Sequence, residues 1–252
     1  MADSARYAYA VTRGLDPAAL AGELGLREAS LEVVSLDGLD AVVGDVPLEE
    51  FSEEALTRNL ESLAWLEEVA RHHDDVIRLV SALGPTAPLR LATIFHDDDA
   101  IRRRLAEWHD GIVEVLDRVE GRAEWSVKVV APPGDPAEAD PSTPASGAEF
   151  LRRRKAQSDD RGRRLAEVGR VAEEVHAALS AASAASRVLP AQDPQLTGLA
   201  GSMVLNGAYL VDLAHHLRFE QQVRDLRAEH PGVEVAAAGP WPPYSFAVLE
   251  QS

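Results

Sequence analysis

Apolar residues along this chain repeat with two different periods, and the switches between them mark out its elements. Tyr7 to Val11 has the composition of a strand and is stopped by Arg13-Gly14. Asp16-Pro17 has the form of a helix start, with proline at the first position, and predicts a short helix through Leu24. Leu31 to Leu36 and Leu39 to Val43 flank Asp37-Gly38, the favoured two-residue turn of a hairpin. Ser52, followed by Glu53 and Glu54, predicts the cap of one long helix. Its stripe of Leu56, Leu60, Leu63, Leu66, Val69, Val76, Val80 and Leu83 runs to Gly84-Pro85. Leu89 to Phe95 then reads as a strand, and 97–119 as a helix with Asp97, Asp98 and Asp99 at its positive end.

The same succession starts again at Glu124. Trp125, Val127 and Val129 share one face of a strand ending at Val130. Residues 131–147 hold five of the fifteen prolines and read as a disordered loop. A long charged helix follows from Phe150 to Ser183, then strands at Arg187–Leu189 and Met203–Val211. A helix over 213–229 and a strand at Val233–Ala237 complete the set. Strand, helix, strand, strand, helix, strand, twice over, predicts an α+β protein of two ferredoxin-like (βαββαβ) halves. The boundary falls near Gly121. Residues 1–121 form the first domain, with a bridging helix at 97–119; residues 122–252 form the second, with the proline-rich loop and the tail 239–248.

Charge narrows the range of partners. A net charge of −17 repels nucleic acid and anionic membranes alike. With no cysteine, disulfides, thiolate metal sites and cysteine nucleophiles are excluded. The N-terminus lacks the form of a signal peptide, and no apolar run reaches the roughly 18 residues of a membrane span. A cytoplasmic protein is expected.

The end of the chain is its most distinctive stretch. Gly239-Pro240-Trp241-Pro242-Pro243-Tyr244-Ser245-Phe246 interleaves three prolines with three aromatics where only 5% of residues are aromatic. Such a path is stiff, poor in donors and expected to stay out of helices and sheets. With it stand Tyr7-Ala8-Tyr9, Ala41-Val42-Val43, Val46-Pro47, Trp65 to Val69, His73-Asp74, Pro88-Leu89-Arg90, Thr93, Glu124-Trp125 through Lys128-Val129, and Ala208 to Val211. Taken in order, these strings resemble the GvpF/GvpL family of gas vesicle proteins over nearly the whole chain. One departure is Leu91-Ala92, where the resemblance implies an aromatic and a glycine. It also implies an accessory protein of gas vesicle assembly that contacts the small, very apolar shell protein and other accessory proteins. Location at the vesicle and in the cytoplasm follows, with no catalytic residue, cofactor or metal.

The residues themselves offer little enzyme chemistry. In His72-His73-Asp74-Asp75, neighbours on a helix point about 100° apart and cannot share an ion. His73 falls on the apolar stripe and reads as a hydrogen-bonded core residue. Asp212, His216 and Glu220 have the spacing of one helical face, either as solvated charges or as a metal site of an enzyme. No GxSxG or P-loop is present. Residues 150–164 carry a local charge of +5, leaving −22 elsewhere. Arg152, Arg153 and Arg154 there serve either as a solvated face or as a docking patch for an acidic surface. Trp241, Tyr244 and Phe246 either fasten the tail to the fold or present a platform to the shell protein. The expected function is to cover the shell protein's apolar surface so that it joins a growing vesicle instead of aggregating. The alternative is a minor building block retained in the shell.

Overall fold

The computed structural model describes residues 4–132, 147–192 and 201–247, apart from the side chains at 147, 150, 153, 156, 157, 160 and 161. Helices and antiparallel strands mix in an α+β arrangement with two sheets. The chain resolves into two compact units, Met1–Glu124 with Trp241–Ser252, and Trp125–Pro240. The tail from Trp241 onward thus packs with the first unit, whereas the sequence reading had grouped it with the second.

In the first unit, β1 (Ser4–Thr12) is the central strand. It pairs antiparallel with β3 (Leu39–Pro47), which forms the expected hairpin with β2 (Glu32–Leu36). Asp37 (φ 48°) and Gly38 (φ 82°) adopt the left-handed pair that such a turn requires. Side chains alternate between the two faces of β1 and β3. Tyr7, Tyr9, Val42 and Val46 form one cluster with Val69, Val76 and Val80 of α3 (Leu63–Leu83). Ala8, Ala41 and Val43 form another with Ile101, Leu105, Ile112 and Leu116 of α4 (Asp98–Val119). The sheet is therefore covered on both faces, and α4, expected as a bridging helix, is the second cover.

Three elements differ from the sequence reading. The helix predicted from Asp16 is only a 3₁₀ turn, Pro17–Leu20, capped by the Asp16 carboxylate. A short helix, α1 (Leu48–Phe51), precedes Ser52, and the long helix predicted from Ser52 is broken into α2 (Glu53–Asn59) and α3. Ser62 restarts it, its hydroxyl accepting from Trp65 N–H, and the break leaves Leu63 82% exposed. Finally, the strand expected over 89–95 is two short ones, β4 (Thr86–Pro88) and β5 (Ile94–Phe95), both antiparallel to β1. Between them the chain leaves the sheet. Leu89 N–H donates to Tyr9 O at one foot of the loop, and Ala8 N–H donates to Thr93 O at the other, each at 2.9 Å.

In the second unit the sheet order is β7 (Ala185–Val188), β8 (Ser202–Asp212), β6 (Arg122–Ala131), β9 (Glu234–Trp241). Its core joins Trp125, Val127 and Val129 to Val168, Val171, Val175 and Leu179 of α5 (Gly147–Ala181) and to Phe219, Val223 and Leu226 of α6 (His216–Glu229). Strand β9 runs through Pro240, contrary to the expectation that the prolines stay out of any sheet. It lies at the sheet edge, where a missing donor is tolerated. Of the expected proline-rich insert, 133–146 lies outside the described residues.

Ala92 sits at φ 60°, a conformation that costs an alanine about 1 kcal/mol more than a glycine. Ala92→Gly is expected to raise unfolding stability by roughly 0.5–1 kcal/mol, read from the midpoint of urea denaturation.

Candidate functional site

The loop 89–93 is held from beneath by buried polar side chains. Tyr7 hydroxyl accepts from Ala92 N–H (3.0 Å) and lies 2.9 Å from His73 Nδ1. His73 Nε2 faces the Leu89 carbonyl at 3.2 Å, so that nitrogen carries the proton and Nδ1 accepts from Tyr7. Every polar atom in this relay has a partner. Burial lowers the His73 pKa and raises that of Tyr7. Tyr9, beside them, accepts from Leu26 N–H at 2.8 Å, and burial pushes its hydroxyl up to about 12.

Above this floor lies a cleft of about 690 Å³. The loop lends Leu89, Leu91 and Thr93 to it, β5 lends Ile94 and Phe95, and α4 lends Ile101, Leu105, Trp108 and Ile112. Ala70, His73 and Asp74 of α3 and Tyr244 and Ala247 of the tail complete the wall. The lining is mainly apolar, with Arg90 and Arg104 among the few charges. Arg104 lies over the Trp108 ring at 4.4 Å and also bonds Glu107 at 2.9 Å. Aromatic and aliphatic walls with a few polar groups suit an apolar ligand or segment.

The tail is fastened to the first unit at several points. Phe246 is 2% exposed, and Ala247 belongs to the cluster of Ala8 and Leu105. Ser245 donates its N–H and its hydroxyl to the two carboxylate oxygens of Glu124, at 2.7 Å each, and Glu124 is only 7% exposed. Arg78 stands over Trp241 at 4.6 Å and donates to Asp74 at 2.5 Å. Tyr244 hydroxyl donates to the same carboxylate. Burial is the main cause raising the Tyr244 pKa, with Asp74 adding to it. Phe246 is thus an anchor turned into the fold, while Tyr244 is 38% exposed.

The basic patch lies elsewhere. Arg152 and Arg154 are exposed on the first half of α5, and the Arg153 side chain lies outside the described residues. They belong to the second unit, whereas the residues lining the cleft belong to the first. Nor do Asp212, His216 and Glu220 share a helical face: Asp212 ends β8, His216 Nδ1 bonds the Leu213 carbonyl, and Glu220 pairs with Arg224. Among the described residues, one triad could bring ligand atoms within 4.8 Å of one another, namely Glu174, Glu229 and His230. Both glutamates are exposed, and a histidine–carboxylate pair at 3.7 Å accounts for it.

Sequence reasoning missed the cleft and the role of Glu124. The available signals were Ser245, a donor pair placed between two anchoring aromatics, and a carboxylate opening a strand whose neighbours are apolar.

His73 protonates more readily once unfolded than in the native state. Its contribution to stability is complete above the ordinary value near 6.5 and is lost as pH falls through the lowered native value. Denaturation titrations from pH 7.5 to 5 should show this loss in the wild type, and a smaller one in His73→Gln.

The profile of the family described as "Gas vesicle synthesis protein GvpL/GvpF" matches residues 5–248. Gas vesicle protein L of Streptomyces sp. (strain CB03234) is 40% identical over 254 residues, covering 99% of this chain and 95% of that protein. Gas vesicle protein L2 of Halobacterium salinarum is 28% identical over 265 residues, covering 96% and 91%. The crystal structure of GvpF from Anabaena sp. PCC7120 matches with a TM-score of 0.71 at 17% identity, covering 98% of each chain. GvpF from Microcystis aeruginosa matches at 0.68 with 15% identity, covering 97% of this chain and 99% of that one. At such identities the two structures speak for the fold.

Proposed function

The chain belongs to the gas vesicle synthesis protein GvpL/GvpF family, and from that membership we propose that it is an accessory protein of gas vesicle formation that binds the apolar shell subunit. The observation that carries this reading is the first unit's cleft, a largely apolar concavity in a chain with a net charge of −17. The apolar face of an amphipathic shell segment would lie against Leu91, Phe95 and Trp108, with Arg90 meeting a carboxylate beside it. The acidic exterior keeps the complex soluble and discourages self-association of the carrier. Bound in this way, the subunit is shielded until it adds to the vesicle, and no bond is made or broken. Other gas vesicle accessory proteins are natural further partners, with the arginines of α5 as a separate docking patch for an acidic surface. Location at the vesicle and in the cytoplasm follows from that role.

Each half is read as a variant of the ferredoxin-like plan. Numbered within each sheet, the strands run 2-3-1-4 in both, which supports the reading. The first half departs from the plan in having 3₁₀ turns, not an α-helix, between β1 and β2.

Co-expression with the shell protein tests the proposal. Wild type should hold the shell protein in the soluble fraction and co-purify with it. Leu91→Glu with Phe95→Ser, folded by circular dichroism, should lower recovery at least tenfold, about 1.4 kcal/mol of binding. Arg152→Glu with Arg154→Glu should leave recovery of the shell protein intact. Undiminished recovery in the cleft variant would remove the cleft from the function.

A further inference from the structure

The tail is a ligand of its own first unit, and the manner of its docking sets how the cleft works. Its inner end is buried: Phe246 and Ala247 enter the core, and Ser245 places two donors on the buried Glu124 carboxylate. Its outer end is held in contact with water, by Tyr244 on Asp74 and by Trp241 under Arg78. An exposed cation–aromatic contact and an exposed hydrogen bond are each weak. The outer end can therefore loosen while the inner anchor stays seated. Pro242 and Pro243, buried between Trp241 and Tyr244, stiffen this segment, so docking it costs little chain entropy. Tyr244 and Ala247 both face the cleft; Ala247 stays with the inner anchor, so the contact that an occupant gains only while the outer end is docked is the one with Tyr244.

Resting on the reading of the cleft as the partner's seat, we propose that Trp241–Ala247 is a strap whose docking and the cleft's occupancy are positively coupled. An occupant that gains contacts with the docked strap must tighten it, and by linkage a loosened strap must weaken the occupant by the same factor. Release of the strap would then discharge the cargo. The coupled contact is the Tyr244 ring on the occupant's side, with Asp74 holding the strap's outer end and Glu124 its inner anchor from the protein's side.

The test uses the full chain with two probes, bis-ANS as a small apolar occupant and the shell protein itself. Hydrogen–deuterium exchange is followed at the amides of Tyr244 to Ala247, of which Ser245 is bonded to Glu124 and Ala247 to the Pro243 carbonyl. Either probe at saturation should slow exchange there at least threefold. Tyr244→Phe with Ser245→Ala should speed exchange about tenfold and weaken both probes about fivefold. Trp241→Ala, which removes a contact at the surface, should act in the same direction to a smaller extent, and it serves if the double variant does not fold. Unchanged probe affinity in a variant whose strap exchanges faster would overturn the coupling, and tighter binding would show the strap to be a competitor. If bis-ANS is coupled to the strap while the shell protein fails to bind wild type, the proposed cargo is wrong and the strap stands. If the shell protein binds wild type and variants equally, the strap falls and the cargo stands. If neither probe binds wild type, the cleft has no apolar occupant and the proposal is lost.

Discussion

The geometry of the first unit depends on keeping two polar side chains satisfied inside an apolar sandwich. Tyr7 and His73 lie where the central strand meets its covering helix, and both are buried, Tyr7 completely. A buried polar group stripped of its partner costs about 1–3 kcal/mol. The two side chains and the backbone of Leu89 and Ala92 therefore lock one another into a single arrangement. Its consequence is a loop that leaves the sheet edge and returns to it, raising Leu89, Leu91 and Thr93 into the wall of a cleft. A plain strand over 89–95 would have left a flat sheet edge in place of a concavity. The second unit repeats the chemistry at another place: Tyr209 of β8 meets His176 of α5 at 3.0 Å, with the hydroxyl pushed up to about 12 by burial.

Given the cleft, the rest of the molecule reads as its support. The sheet is buried on both faces, so its strands are nearly continuous in apolar residues and hold the floor rigid. Arg6 gathers Glu32, Asp45 and Asp98 within 2.6–2.9 Å, tying two strands to the start of α4. The tail closes the remaining side, with inner anchors at Ser245, Phe246 and Ala247 and surface contacts at Tyr244 and Trp241. An acidic chain with an apolar concavity in its first unit is suited to carrying an apolar polypeptide.

Much of this was legible in the sequence, and the failures have physical causes. Asp37-Gly38 demanded a hairpin turn and received one, because few other residue pairs take two left-handed positions cheaply. Periodicity located α4 and α5, each of which buries a single stripe, and the strands of the first sheet showed as nearly continuous apolar runs bounded by turn residues. It failed at Ser62, where a cap interrupts a stripe that continues on both sides, so the break leaves no gap in the apolar pattern. It failed again at 89–95, where the turn residue is Ala92; a glycine there, as the family resemblance implies, would have announced the left-handed position. The tail was recognisable as a docked segment from its prolines and aromatics. Its receptor was not, because Glu124 and Ser245 are 121 residues apart and neither is unusual locally. The basic run at 150–164 was the most conspicuous charge feature, yet it belongs to the second unit and the cleft to the first.

The central claim is that a partner's apolar segment sits in the first unit's cleft, and site-specific photocrosslinking tests it most directly. A benzophenone amino acid is placed at Leu91 in one protein and at Arg152 in another, and each is irradiated in cells forming gas vesicles. The account predicts a shell-protein adduct from position 91, confirmed by mass spectrometry, and little or none from position 152. Adducts from 152 with none from 91 would contradict it.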